Sequence, residues 1–213
     1  MADWVTISSI ASAGGTLVLA VATFASVKSA NRAARVAEQS LLVGLRPLLL
    51  PSRLDDPPEK VGFADDRWFT VAGGQAAAEV TPEAVYLVVP LRNVGSGIAV
   101  LHGWHFYPER HLGPDIAPTP LDDFTRLGRD LYVPPRDVGF WQGAFRDPAA
   151  PEFATAAEAI TARRPVMIDI LYGDHEGGQR MISRYSLVPR TGESGGWTTS
   201  AGRHWNVDRD DPR

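Results

Sequence analysis

His105, Asp174, His175 and Glu176 are the side chains of this sequence best suited to chemistry. An imidazole exchanges protons near neutral pH, and a neighbouring carboxylate can orient it or polarise water. Gathered in one pocket, the four would make a hydrolase-type loop site. Two glycines follow Glu176, however, and acids with glycine are also what a hairpin turn requires. His102, His105 and His111 invite a zinc reading. On a regular strand His102 and His105 point to opposite faces, so one ion takes both only across a bulge. A hard cation at the 174–176 turn would want about 6–8 oxygen ligands, more than that loop offers. Asn93-Val94-Gly95-Ser96-Gly97 has the look of a dinucleotide loop. It lacks the third glycine, and a strand-like aromatic segment follows where a helix should hold the pyrophosphate. The alternative for this run is a tight hairpin in which Asn and Gly supply positive φ. No G-x-S-x-G elbow, H-E-x-x-H helix or phosphate loop occurs. The expectation is a chain without catalytic, cofactor-binding or metal-ligating residues, and without a cofactor.

The elements that carry these residues read as mainly β. Short runs of branched and aromatic residues, broken by Pro, Gly and Asp, predict strands at 46–51, 67–72, 84–94, 98–107, 137–145, 165–173 and 179–188. A short one is expected at 197–199. Val166, Ile168, Ile170 and Tyr172 alternate with Met167, Asp169 and Leu171, which places the two sets on opposite faces. Ile98, Val100, His102, Trp104 and Phe106 are expected to share a face. Pairing Gly173 with Gly178 would set Asp169 beside Arg180 and Arg184 as a cross-strand ion pair. Pro90 argues for an edge strand or a bulge. Two short helices interrupt, one from Pro120 through Leu121, Phe124 and Leu127 to Gly128, the other from Asp147 to about Arg163. Residues 54–66 read as loop. The fold expected is an immunoglobulin-like β-sandwich over residues 46–200, followed by a polar tail at 201–213.

Residues 5–27 form an uncharged, mostly apolar run, and about 20 residues of helix cross a bilayer. They are expected to be a transmembrane anchor, with 1–27 as its domain. A juxtamembrane helix continues over 28–45, bracketed by Gly44 and Pro47. Lys28, Arg32 and Arg35 share one face of it, and positive flanks stay cytoplasmic. The expected location is a bacterial cytoplasmic membrane, with the N-terminus outside and the main domain in the cytoplasm; an outward-facing envelope domain is the alternative. Ser8, Ser12 and Thr16, with Ala11 and Gly15, have the spacing that lets two membrane helices approach, so a homodimer through this helix is an expected partner.

The span, the basic helix ending in Arg46-Pro47, the strand running into Leu91-Arg92-Asn93-Val94-Gly95-Ser96-Gly97-Ile98-Ala99, and the Ile170-Leu171-Tyr172-Gly173-Asp174-His175-Glu176-Gly177 hairpin together resemble uncharacterised membrane-anchored β-sandwich proteins of bacteria. The resemblance implies a fold and a tether, and carries over no catalytic residue.

Composition narrows the partners. From Arg46 onward the chain carries 18 basic and 23 acidic residues. A domain of net negative charge lacks the positive surface that nucleic acid requires, so none is expected. The absence of cysteine excludes disulfides and cysteine-ligated metals. Arginine outnumbers lysine 19 to 2, which suggests a GC-rich bacterial genome. Five tryptophans fall in the domain; Trp141 and Trp197, near loops, are the expected partner-binding aromatics. The function expected is a membrane-tethered, non-enzymatic binding or scaffolding module.

Overall fold

The computed structural model describes residues 4–111, 113, 116–191 and 195–209, with side chains from Gly14 onward except those of 39, 42 and 43. The chain divides into two compact units, Met1–Val43 and Gly44–Arg213.

The first unit is a single helix, α1 (Trp4–Gly44), which carries the expected continuation past residue 27. Its Leu17, Val18, Leu19, Val21, Phe24 and Val27 are all more than half exposed. At about 100° per residue these positions surround the helix rather than forming one stripe. Lys28, Arg32 and Arg35 are exposed and fall within one side. Among the described residues no helix is long and apolar enough to cross a membrane. Residues 5–13 of the expected span, with Ser8, Ala11 and Ser12 of the dimer face, lie outside the described side chains. The 14 uncharged residues that remain, 14–27, reach ~21 Å, against ~30 Å of hydrocarbon.

The second unit is a β domain. Its strands are β1 (Leu49–Pro51), β2 (Glu59–Gly62), β3 (Trp68–Val71), β4 (Gln75–Val80), β5 (Val85–Asn93), β6 (Ala99–Tyr107), β7 (Thr125–Val133), β8 (Val138–Phe145), β9 (Val166–Asp174), β10 (Met181–Pro189) and β11 (Trp197–Asn206), with one helix, α2 (Pro151–Thr161). Nine strands make one sheet in the order β1-β5-β4-β11-β10-β9-β6-β7, with β8 on the other side of β5; β2 and β3 form a separate hairpin. The seam between its halves is only two residue pairs wide, Trp197–Ala76 and Thr198–Gln75. The halves curl over one core, so the sheet is an open half-barrel with β7 and β8 as its free ends. The mainly β class expected from sequence is what these ladders describe.

Alternation builds that core. Ile168, Ile170 and Tyr172 of β9 face Val85, Leu87 and Leu91 of β5 across it, with Trp104 and Trp141 filling the middle. The register of β9 with β10 pairs Asp169 directly with Arg184, two residues away from the expected alignment. A slip of two keeps every side chain on its face, so Arg184 still reaches Asp169 while Arg180 does not. β5 is a central strand despite Pro90. The proline sits where its second neighbour changes from β4 to β1, so the missing N–H falls in a gap between ladders.

Two outer layers cover the sheet. The β2–β3 hairpin lays Val61, Phe63 and Val71 on Tyr86 and Val88. Ile116 and Phe124 close over Leu171, Ile182 and Trp205 on the opposite half. Beneath them Asp169 takes both Nε and Nη2 of Arg184 at 2.6 Å and the Thr119 hydroxyl at 2.7 Å. The Arg184 guanidinium lies between the rings of Tyr107 and Trp205.

Several sequence expectations are corrected. The expected helix at 120–128 is only a 3-10 turn, Leu121–Asp123, before β7 begins. Phe124 packs in the outer layer and Leu127 against the main core, two places that one short helix cannot serve. The second helix begins at Pro151, not at Asp147. β2 lies inside the expected 54–66 loop, and β11 runs through the expected 200/201 boundary to Asn206, with Trp205 buried. β6 has a bulge between Leu101 and Gly103. An extra residue reverses the alternation, so Leu101 and Trp104 both enter the core.

The Asn93 run is not a hairpin, because β5 and β6 do not pair, and it leads into a strand, not a helix. Its glycines lie outside the positive-φ set, which corrects the turn chemistry expected. They are there for close approach. A Cβ on Gly97 would stand 1.8 Å from the Leu45 carbonyl oxygen, and one on Gly95 2.4 Å from that of Arg46. Asn93, fully buried, clasps this crossing. Its Nδ2 donates to Gly97 and Val133 carbonyls at 2.7 and 3.0 Å, and its Oδ1 accepts from the N–H groups of Leu48 and Gly95 at 3.2 and 2.9 Å.

Candidate functional site

β7 and β8 are consecutive strands, yet no ladder joins them. They meet only beside their connecting turn, where the space at Gly139 is filled by the Val133 side chain. From there they diverge, and a groove of about 720 Å³ opens between them. The β2–β3 hairpin overhangs one side. Trp104, Leu127, Leu131 and Phe140 supply an apolar lining.

Four cations line the same groove: Lys60 from the hairpin, Arg126 and Arg129 from β7, and Arg146 just after β8. The β6–β7 register separates the two from β7. Leu101 pairs with Leu131 and Gly103 with Arg126, so Arg126 stays in the ladder while Arg129 lies in the 127–130 segment that leaves it. Arg146 is partly neutralised by Asp65 at 3.5 Å. Asp65 also accepts the Tyr86 hydroxyl at 2.6 Å, and that bond above all holds its carboxyl below the usual range. Lys60, Arg126 and Arg129 are exposed, and none has an ion-pair partner among the described residues. With the Gln142 amide nitrogen donating to the Gly62 carbonyl at 3.2 Å, its oxygen accepts from Arg129 at 3.1 Å.

Trp68 stands at the mouth and is 67 % exposed. It pairs across the hairpin with Gly62, and its ring covers that glycine so closely that a Cβ there would lie 2.9 Å from the indole. Gly62 is thus the seat of an aromatic surface open to a ligand. An aromatic plane, an apolar lining and unpaired cations can bind an anion with some apolar character. The lining holds no histidine and no serine.

The residues singled out from sequence lie elsewhere. Trp141 is wholly buried, edge-on to Trp104 at 5.4 Å, and Trp197 is 3 % exposed. Both are core residues and not the surface anchors expected. His105 pairs in register with Asp169, and its Nδ1 lies 2.9 Å from the Asp123 carbonyl oxygen. Asp174 lies five residues farther along β9, or roughly 17 Å of strand. Asp174, His175 and Glu176 stay together at the turn, where His175 and Glu176 approach to 3.1 Å. Among the described residues no group of three His, Cys, Asp or Glu side chains is placed to hold a metal ion. Burial pushes the His102 imidazole below its ordinary value. The groove residues were missed because their signal in the sequence is slight. Lys60, Arg126, Arg129 and Arg146 come from three separate segments, and only the Arg67-Trp68-Phe69 run stands out locally.

Comparison of the chain with protein-family models, with curated proteins and with solved structures returned no match.

Proposed function

We propose that this chain is a membrane-tethered, non-enzymatic binding module whose ligand is anionic and sits in the β7–β8 groove. The observation that carries the reading is the cluster of Lys60, Arg126 and Arg129, without ion-pair partners among the described residues, beside the exposed ring of Trp68. This cluster stands out on a domain whose net charge is −5. A concentration of one sign in a concave, partly apolar site raises the local concentration of opposite charge. The tether is α1. Its apolar side chains surround the helix, which suits lipid better than water. Lys28, Arg32 and Arg35 then form a basic collar on the cytoplasmic side of a bacterial membrane, each worth about 1 kcal/mol beside anionic lipid.

Poly-glutamate titrated into the full-length protein tests the groove, with tryptophan fluorescence as the readout. The expected result is saturable binding that weakens with salt. Binding should fall at least about tenfold in a Lys60→Glu/Arg129→Glu variant, equivalent to ~1.4 kcal/mol. Unchanged affinity in that variant would remove the groove from consideration. For the tether, a reporter fused after Arg213 that works only in the cytoplasm should be active, and activity of an export-dependent reporter overturns the orientation.

A further inference from the structure

We infer that the β7–β8 groove takes an extended, acidic segment of a partner protein, which adds itself as a strand to the free edge of β8. The inference rests on the groove being the binding site and specifies the chemistry of its occupant.

The occupant must be extended because the groove is bounded by unpaired strand edges. β8 runs for 8 residues, and all of its pairing is with β5. In an antiparallel ladder every second residue turns its N–H and C=O to the far side, so about half of the β8 backbone groups point into the groove. Edges of this kind are templates for another strand, and proteins usually cover or charge them. Here the edge lies open along a 720 Å³ space that the β2–β3 hairpin roofs. Main-chain bonding of an added peptide fits this geometry, whereas a folded surface would meet the overhanging hairpin.

The occupant must be acidic on one face. Side chains of an added strand alternate, continuing the two faces of β8. On the inner side, in line with Trp141 and Gly143, they would meet Trp104, Leu127 and Leu131. On the outer side, in line with Phe140 and Gln142, they would meet Lys60, Arg129 and Trp68. The matching segment therefore alternates apolar and acidic residues. Charge complementarity with Lys60, Arg126 and Arg129 selects it over a neutral or basic strand of the same length.

The experiment uses the full-length protein and an alternating valine–glutamate peptide of about seven residues, the length of an ordinary strand. Three controls accompany it: the same peptide N-methylated at alternate amides, its valine–lysine counterpart, and poly-glutamate. The valine–glutamate peptide should bind, and its amide-exchange footprint should fall on β8. N-methylation and lysine replacement should each weaken binding at least about tenfold, since one removes the edge hydrogen bonds and the other the charge match. Equal binding of the N-methylated peptide, still lost in Lys60→Glu/Arg129→Glu, overturns strand addition and leaves the anion groove standing. Failure of every acidic probe, poly-glutamate included, overturns both. Tighter binding of an oligo-dT strand or of phosphatidylglycerol vesicles through the same cations overturns the peptide as occupant. Dimerisation that already protects the β8 amides and excludes the peptide assigns the groove to a second copy, and overturns it too.

Discussion

Asp169 shows how much one buried carboxylate can organise. It is fully buried, and its oxygens are taken up by Arg184 and Thr119. Replacing it by asparagine leaves a guanidinium that is only 4 % exposed without its counter-charge. Breaking a buried pair from one side costs about 3–5 kcal/mol, so urea unfolding of Asp169→Asn should show a loss of that size. The double change Asp169→Leu/Arg184→Met should lose clearly less, because no charge is stranded. Trp68 is the opposite case. It is exposed, so Trp68→Ala should leave the unfolding midpoint nearly unchanged, within about 0.5 kcal/mol, while binding in the groove falls. Acid sensitivity also belongs to particular residues. The carboxyls of Asp56, Asp65 and Asp208 are held below their ordinary 3.8 chiefly by hydrogen bonds from Arg92, Tyr86 and Arg180. Each is ionised more readily folded than unfolded, so its stabilisation is complete above pH 3.8 and is lost as pH falls through the lower folded values. His102, pushed below 6.5 by burial, acts earlier. It contributes stability above 6.5 that declines as pH drops toward its folded value. Unfolding free energy measured from pH 7 downward should fall first through the histidine range and again below pH 3.8. A His102→Gln variant should flatten the first decline only.

At the level of elements, the glycines of the β5–β6 connection and the bulge of β7 show backbone choices with different costs. Gly97 admits no Cβ, because Leu45 backbone occupies that space. Gly97→Ala should destabilise the domain by about 3 kcal/mol or more, the upper range for overpacking, as read from thermal or urea unfolding. Gly128, in the displaced part of β7, has nothing within 4 Å of its added Cβ and no positive φ, so Gly128→Ala should be neutral or slightly stabilising. The contrast separates a glycine that makes the fold from one that merely occupies its surface. The same elements show how legible the chain was. β5, β8, β9 and β10 were visible because branched and aromatic residues alternate in them. β4, with three consecutive alanines, carries little strand propensity and was invisible. The start of β7 mimics a helix because Leu121, Phe124 and Leu127 recur at helical spacing, although Leu121 is exposed and Phe124 and Leu127 serve two different layers.

On the scale of the whole molecule, residues from Gly44 onward form a compact unit with its own core, distinct from Met1–Val43. A chain starting at Gly44 should therefore fold and unfold cooperatively by itself, with an unfolding midpoint close to that of the full-length protein in the same buffer. Circular dichroism through a urea titration checks this; a loss of cooperativity would make α1 part of the fold. What the amino-acid sequence determined alone was local: a mainly β domain, the faces of β9, a helix continuing past residue 27, and a face shared by Asp169 and Arg184. Each follows from periodicity or from side chains that neighbouring strands bring together even after a slip of two. Only the tertiary structure decided which tryptophans are core and which is surface, that the sheet curls into an open half-barrel, and that its two ends face a groove. Exposure depends on which layer covers a face. Edges depend on pairings between distant segments. The cations of the groove come from positions 60, 126, 129 and 146, which no local pattern connects until those pairings bring them to one place.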